Sequence, residues 1–243
     1  MVSQESLKVF VVGASGSLGR SLAEEEAARG SNLVLIASDL RDLLPIQADL
    51  ILKYNAKVEI VSVDFRESRA SSKIELNGDR YYFPVGATME LDLLGTTSEK
   101  IERMMRVNFL SVASIIGNIL SEPRQRRVDI IGFGSIAETR GRANNVYYSA
   151  AKRALTSLFE SLRHGAKKEN LRPYLFQVGY MKSQLSYGKK MLFPAVASKD
   201  VAKAVLHFIN TKEAGIVYLP RYWYWICIIV RKLPWIIYQK LNF

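Results

Sequence analysis

Short apolar runs alternate with segments of helical periodicity along this 243-residue chain, and this alternation limits the fold more than any other feature. The run Lys8–Val12 precedes a helical pattern over Ser17–Arg29, and the run Leu33–Ala37 precedes one over Leu40–Tyr54 that Pro45 interrupts early. The series continues with apolar runs at Val58–Val63, Arg80–Phe83, Val128–Gly132, Pro173–Val178 and Ile216–Leu219, and with helical patterns at Ser98–Leu120, Val146–Lys168 and Ser198–Asn210. This order predicts an α/β fold with a doubly wound parallel sheet of the Rossmann type.

The composition favours one folded domain in a reducing compartment. A chain of this length with 49% hydrophobic residues can build a sizeable core. Its single cysteine, Cys227, excludes an intramolecular disulfide, and His164 and His207 have no second ligand at metal spacing, so we predict no metal site. The formal net charge of +11 favours contact with anions such as phosphates, acidic lipid or nucleic acid.

A glycine-rich turn follows the first predicted strand. Residues without a Cβ let the backbone approach a pyrophosphate, and the next helix offers free N–H groups at its N-terminus. A plain tight turn is the alternative, but the position in the first βα unit favours dinucleotide binding. The residues that we expect to form this phosphate site are Gly13, Ser15, Gly16, Ser17, Leu18 and Gly19.

The choice between NAD and NADP depends on the end of the second strand. Asp39 could bind the ribose 2′-hydroxyl of NAD, whereas Ala37, Ser38 and Arg41 could make room for the 2′-phosphate of NADP. We slightly favour NADP(H), with Ser38 and Asp39 beside the ribose. Asp64 follows the third strand, where it could accept a hydrogen bond from the adenine amino group or simply cap a helix.

Tyr148 and Lys152 are four residues apart in a helical segment, so they project from one face. A tyrosine becomes a useful acid–base catalyst when a nearby cation stabilises its phenolate. Ser135 follows the Val128–Gly132 strand and could hold a substrate carbonyl, although a turn or helix cap is the alternative. Asn108 is a polar residue among apolar neighbours in the Ser98–Leu120 helix, where it is either functional or solvent-facing.

In these motifs the chain resembles the short-chain dehydrogenase/reductase family over residues 7–220. The glycine-rich turn, Asp64, Asn108, Ser135, Tyr148 and Lys152 occur in the family's order. The resemblance implies an NAD(P)(H)-dependent oxidoreductase that reduces a ketone or oxidises a secondary alcohol. In it, Tyr148 would exchange the proton, Lys152 would lower the pKa of Tyr148 and bind the nicotinamide ribose, Ser135 would orient the carbonyl, and Asn108 would hold a relay water. Further cofactor contacts would come from Gly86, Gly179 and Met181.

Three departures from the family pattern affect the cofactor site. Val12 replaces a threonine, Ser17 replaces the middle glycine with Gly16 displaced by one position, and Val178 replaces a proline. The usual Asn-Asn-Ala-Gly after the fourth strand reads Phe83-Pro84-Val85-Gly86, which puts the hydrogen-bond network at this strand end in doubt.

The last part of the chain, residues 221–243, differs from the domain formed by residues 1–220. All three tryptophans lie here, interleaved with Arg221, Arg231, Lys232 and Lys240, but the longest uncharged run is too short to span a bilayer. This amphipathic tail is typical of a segment in the membrane interface, whereas a dimer interface or a helix packed on the domain is the alternative. It is similar to the end of reductases that act on polyprenyl-phosphate keto-sugars such as decaprenyl-phosphoryl-2-keto-arabinose. We therefore predict a cytoplasmic protein attached peripherally to a membrane.

Several partners and functions stay open at this stage. The substrate could be a lipid-linked keto-sugar in glycan biosynthesis or a lipophilic acyl or isoprenoid ketone. The resemblance implies that Tyr180, Tyr187, Met191 and Phe193 lie in the substrate lid, where their apolar character suits such a chain unless they simply cover the nicotinamide. A nucleotide-binding regulator without catalysis is the alternative from another class. The resemblance also implies a homodimer or homotetramer through the two long helices. We predict no nucleic-acid binding, since the basic runs are short.

Overall fold

The computed structural model describes residues 6–67, 74–89, 92–121, 126–166, 170–182 and 193–241. The strands are β1 (Lys8–Val12), β2 (Asn32–Ala37), β3 (Val58–Ser62), β4 (Arg80–Phe83), β5 (Val128–Ser135), β6 (Leu171–Val178), β7 (Met181–Lys182), β8 (Val196–Ala197) and β9 (Gly215–Leu219). Seven of them form a parallel sheet in the order β3-β2-β1-β4-β5-β6-β9, and β7 pairs with β8. The predicted doubly wound sheet is confirmed.

Helices cover both faces of this sheet. They are α1 (Ser17–Ala27), α2 (Leu40–Tyr54), α3 (Ser98–Met105), α4 (Ser111–Ser121), α5 (Val146–Gly165), α6 (Ser198–Thr211), α7 (Trp223–Lys232) and α8 (Trp235–Tyr238). One apolar core joins α1, α2 and α6 to the sheet, and a second joins α4 and α5 to its other face. The chain order reverses between β1 and β4, which opens a crevice at the carboxyl ends of these two strands.

Two predicted boundaries need correction. The strand predicted to end at Gly132 continues to Ser135, because every residue from Val128 to Ser135 has a partner in β6. Pro45 does not interrupt α2, which runs unbroken from Leu40 to Tyr54. A proline removes only its own N–H bond, and the exposed position of Pro45 in the second turn leaves the buried face of the helix intact.

The long predicted helix around Asn108 is nearly continuous, with a π-helical turn at Arg106–Leu110 between α3 and α4. By length and composition this stretch, Ser98–Ser121, is the one helix among the described residues that could cross a membrane. Its apolar residues Val112, Ile115 and Ile116 are buried in the second core against the sheet. The stretch therefore has the packing of a core helix.

The C-terminal tail docks on the segment that follows β5. In α7, Trp223 and Cys227 are buried, and Thr139 Oγ1 lies 3.0 Å from Cys227 Sγ. Arg140 donates to the Val230 carbonyl at 3.1 Å, and Arg231 pairs with the buried Glu138 at 3.3 Å. One side of the tail is thus part of the folded domain.

Candidate active site

The glycine-rich turn lies at the switch point of the sheet and is too tight for side chains at two positions. Gly13 has a φ of 98°, and a Cβ there would lie 2.8 Å from the backbone of Val85. A Cβ on Gly19 would lie 2.3 Å from the Gly13 carbonyl oxygen. The turn therefore holds β1, α1 and the end of β4 in close contact, with the N-terminus of α1 facing the crevice.

The crevice consists of two adjoining cavities of about 510 and 320 Å³. The larger one runs from the glycine turn to Tyr148, and the smaller one from Gly13 to Asp64. Of the predicted cofactor residues, the larger cavity is lined by Ser15, Gly16, Ser17, Leu18, Gly19, Gly86, Lys152, Gly179 and Met181, and the smaller one by Gly13, Ser15, Gly16, Ser38, Asp64 and Gly86. The fold therefore brings all of them except Asp39 to one elongated crevice.

Asp39 lies outside the residues that line these cavities. Its carboxylate caps α2 by accepting from the Arg41 N–H at 2.8 Å and also pairs with the Arg41 guanidinium at 2.6 Å, which lowers the pKa of Asp39. Asp64 does line the crevice, and its carboxylate accepts from Arg66 Nε at 2.8 Å. Arg66 and Arg103 also line the smaller cavity, so this end of the crevice is rich in guanidinium groups.

Tyr148 and Lys152 share one face of α5 and reach the floor of the larger cavity. The Lys152 ammonium lies 5.9 Å from the centroid of the Tyr148 ring and donates to the Phe133 carbonyl oxygen at 3.0 Å. Lys152 is 4% exposed, and Phe133 supplies its one hydrogen-bond acceptor among the described residues. An ammonium has three donors, so two of them are available to a ligand in the cavity.

The pKa of Tyr148 is set by its burial and by its neighbours. Burial raises the pKa of the Tyr148 hydroxyl, and a hydrogen bond with Ser135 offsets part of that rise. Burial also lowers the pKa of Lys152 to about 8, so its ammonium is still the main form at neutral pH. That Lys152 lowers the pKa of Tyr148 once the cofactor is bound stays a prediction.

Ser135 and Asn108 support the cavity from two sides. The Ser135 hydroxyl lies within hydrogen-bonding reach of Tyr148 and also accepts from the Ala137 N–H at 3.2 Å, so it is both a cavity residue and a cap. Asn108 is fully buried in the π-helical turn rather than facing solvent. Its amide accepts from the Ala87 N–H at 3.2 Å and donates to the Ala87 carbonyl at 2.9 Å.

This pairing answers the doubt about the end of β4. The side chains of Phe83-Pro84-Val85-Gly86 are mostly apolar. The Asn108 side chain instead binds the main chain of the next residue, Ala87, through hydrogen bonds to both its N–H and its carbonyl. A Cβ on Gly86 would lie 3.1 Å from Asn108 Oδ1 and 3.7 Å from Lys152 Nζ. The network at this strand end is therefore built from Asn108 and backbone groups.

Asp92 is a positioning residue that the sequence analysis did not identify. Its buried carboxylate accepts from the Tyr147 N–H and the Tyr148 N–H, each at 2.8 Å, at the N-terminus of α5. The left-handed backbone of Asn145, with a φ of 65°, leads into this turn. Because Asp92 lies 56 positions before Tyr148, no local spacing signal could have revealed the contact.

Taken together, the crevice fits a dinucleotide. The glycine turn would hold the pyrophosphate at the N-terminus of α1, and Ser38 and Asp64 lie at the end where the adenosine would bind. The spare donors of Lys152 suit ribose hydroxyls, and Gly179 and Met181 line the same cavity. Tyr187 and Met191 of the predicted lid lie outside the described residues, whereas Tyr180 lines the larger cavity.

The fold and the crevice define the class of α/β dinucleotide-binding oxidoreductases. The sequence model of the short chain dehydrogenase family matches residues 8–190, which is most of the chain. The chain belongs to this family and is an NAD(P)-dependent dehydrogenase/reductase, as the resemblance implied.

Individual relatives are distant. A dehydrogenase/reductase SDR family protein 7-like of Anopheles gambiae is 27% identical over 246 residues, covering 90% of this chain and 77% of that protein. A very-long-chain 3-oxoacyl-CoA reductase of Vanderwaltozyma polyspora is 28% identical over 181 residues, covering 66% of this chain and 51% of that protein.

Solved structures agree on the fold. A short-chain dehydrogenase from Sphingobium yanoikuyae in complex with NADPH superposes with a TM-score of 0.79 at 18% identity, covering 94% of this chain and 97% of that one. An alcohol dehydrogenase from Thermococcus sibiricus complexed with 5-hydroxy-NADP gives a TM-score of 0.76 at 19% identity, covering 88% and 96% of the two chains.

Proposed function

We propose that this protein reduces a ketone that carries an apolar chain, at a membrane surface, with NADP(H) as cofactor. The proposal depends chiefly on one observation, that the hydroxyls of Tyr148 and Ser135 and the buried ammonium of Lys152 meet at the floor of the crevice. When bound, the nicotinamide would supply a hydride to the carbonyl carbon, and so the two electrons of the reduction.

The protein's own part in this reaction is to place the carbonyl and to supply one proton. The ordinary pKa of a tyrosine lies near 10 and burial raises that of Tyr148, so the hydroxyl is protonated at neutral pH and has a proton to give to the carbonyl oxygen as the alcohol forms. The Ser135 hydroxyl would hold the same oxygen as its negative charge develops. The ammonium of Lys152 would stabilise the phenolate that remains on Tyr148.

A preference for NADP(H) is supported by the charges around the smaller cavity. Asp39, the residue that would select NAD, is engaged by Arg41 and lies outside the cavity lining. Arg103 lines the same cavity as Ser38, together with Arg66, which is paired with Asp64, and guanidinium groups suit a 2′-phosphate.

An apolar substrate chain and a membrane surface are supported by the tail. Its outer side exposes a cluster of large apolar residues that we call the tail face: Tyr224, Trp225, Trp235, Ile236 and Ile237. Trp225 is 67% exposed and Ile236 69% exposed. The exposed Arg221, Lys232 and Lys240 flank them, so the surface combines apolar rings with cations, as an anionic lipid surface requires.

The relative that reduces very-long-chain 3-oxoacyl-CoA gives one precedent by name for a lipophilic ketone. The lipid-linked keto-sugar predicted from the tail has an apolar chain as well. A panel that contains both substrate types, assayed with NADPH and NADH, distinguishes them.

The central test is Tyr148→Phe. This substitution keeps the ring and removes the transferable proton. We therefore expect kcat to fall by about a thousandfold, which lies within the range that general acid catalysis contributes. NADPH affinity, measured by fluorescence titration, should stay within about threefold because the phosphate turn is untouched.

Retained turnover in Tyr148→Phe would contradict the assignment. If the wild-type protein binds NADPH but reduces no ketone of the panel, the alternative of a nucleotide-binding regulator takes its place.

A further inference from the structure

A separate apolar cavity of about 220 Å³ lies beneath the tail, between α7 and the 3₁₀ helix Ile136–Thr139. We call it the tail chamber, and its apolar walls include Ile136, Ala137, Phe193, Trp223, Ile226 and Val230. We propose that the tail chamber binds the apolar chain of the substrate whose carbonyl lies at Tyr148. This inference rests on the proposed function and names the substrate feature that the site would recognise.

The position of the chamber is the first argument. Ile136 and Ala137 follow Ser135 directly, so the chamber begins next to the residue expected to hold the carbonyl. Tyr180 lines both the chamber and the larger cavity of the crevice. Tyr180 therefore lies between the crevice and the chamber, and a substrate with its carbonyl at Ser135 would extend its chain past this side chain.

The chamber's chemistry is the second argument. The main charged group near it, the Arg140 guanidinium, donates to the Val230 carbonyl at 3.1 Å and lies 4.2 Å from the Tyr238 ring centroid, so its charge is used to hold the tail. Arg142, Thr139 and Cys227 also line the chamber, and its other lining residues are aliphatic or aromatic.

A buried donor at the edge of the chamber is the third argument. Trp223 is 4% exposed, and its indole Nε1–H has no acceptor among the described residues. The indole packs on Gly179, where a Cβ would come within 2.0 Å of Nε1, and Gly179 lines the cofactor crevice. Because buried donors are nearly always paired, this N–H is open to an oxygen of a substrate that carries a second polar group beside its apolar chain.

Chain-length dependence of turnover tests the proposal. With straight-chain 2-alkanones and NADPH, kcat/KM should rise about fourfold per added methylene, equivalent to ~0.8 kcal/mol each, and level off once the chain fills the chamber. Ile226→Trp fills the chamber and should abolish this dependence. Leu52→Trp, on the exposed side of α2 where Leu52 is 86% exposed, is the matched control and should keep it.

Fluorescence gives a readout that does not need turnover. All three tryptophans lie in the tail, so Trp225→Phe combined with Trp235→Phe leaves Trp223 in the chamber wall as the sole reporter. A bromine-labelled 2-alkanone should quench it, and Ala137→Leu, which fills the chamber from the opposite wall without adding a tryptophan, should remove the quenching.

The two readouts separate the two proposals. Turnover of short ketones with no chain-length dependence and no quenching would overturn the chamber and leave the hydride chemistry standing. Quenching that Ala137→Leu removes, in a protein that reduces no ketone, would support the chamber and overturn the proposed ketone reduction. Quenching that persists in folded Ala137→Leu places the chain elsewhere and contradicts the chamber.

Discussion

At the scale of single residues, the charge of Lys152 controls the expected pH dependence of the reaction. Burial lowers its pKa to about 8, so the ammonium is present below that pH and is lost as the pH rises through it. Because the ammonium stabilises the Tyr148 phenolate, kcat/KM for ketone reduction should fall about tenfold per pH unit above pH 8. The measurement is kcat/KM between about pH 6 and pH 10.

Lys152→Arg is the control for this prediction. A guanidinium keeps its charge throughout that range, so the alkaline fall should move to higher pH even if the different shape of the side chain lowers the rate. An unchanged alkaline limb in this variant would show that another group titrates.

Sequence reasoning at this scale succeeds where a residue acts through a local pattern. The Tyr148/Lys152 spacing and the glycine turn are local, and the fold places both in one crevice. Asp39 is not among the residues that line the crevice, although its position after β2 suggested a cofactor contact. Its carboxylate instead caps α2 and pairs with Arg41, a competing local interaction. The pKa of Tyr148 could not be predicted, since it depends on how much surrounding protein excludes water.

At the scale of elements, helix α5 presents Tyr148 from its first turn, and that turn is fixed by Asp92. We expect Asp92→Ala to leave two N–H groups of α5 without their acceptor and to reduce stability by about 1 kcal/mol. It should also lower kcat several-fold with little change in KM for NADPH, because Tyr148 moves while the phosphate turn does not. Urea unfolding and steady-state kinetics give the two values.

Asp92→Asn separates positioning from simple destabilisation. Its amide oxygen can still accept from the same backbone, so kcat should recover part of the loss. If Asp92→Ala is destabilised but has the wild-type kcat, the contact is structural only.

Hydrophobic periodicity predicted which segments form strands and helices, but it did not predict where each of them ends. The end of β5 is set by its pairing with β6, a contact between residues far apart in sequence. Similarly, α2 passes through Pro45 because its buried residues Leu43, Ile46 and Leu50 pack on the core.

At the scale of the whole molecule, the tail is one structure with two sides. Its inner side forms a wall of the tail chamber, and its outer side is the tail face. Composition predicted an amphipathic segment, but which residues point each way depends on docking contacts such as Thr139 with Cys227. Pairing of the long helices into a homodimer or homotetramer stays a prediction.

The tail face predicts binding to vesicles that contain acidic lipid. Cosedimentation should show binding to vesicles with phosphatidylglycerol, weaker binding to phosphatidylcholine alone, and a decrease with salt, because Arg221, Lys232 and Lys240 flank the apolar residues. Ile236→Ser with Ile237→Ser should weaken it at least about tenfold, since two exposed apolar side chains lose their burial in lipid. The matched pair Ile51→Ser with Leu52→Ser, also exposed but on α2, should bind as the wild type does. If the Ile236/Ile237 variant instead changes the molar mass by light scattering while vesicle binding is absent in all proteins, a second copy of the chain covers this face and the membrane assignment is wrong.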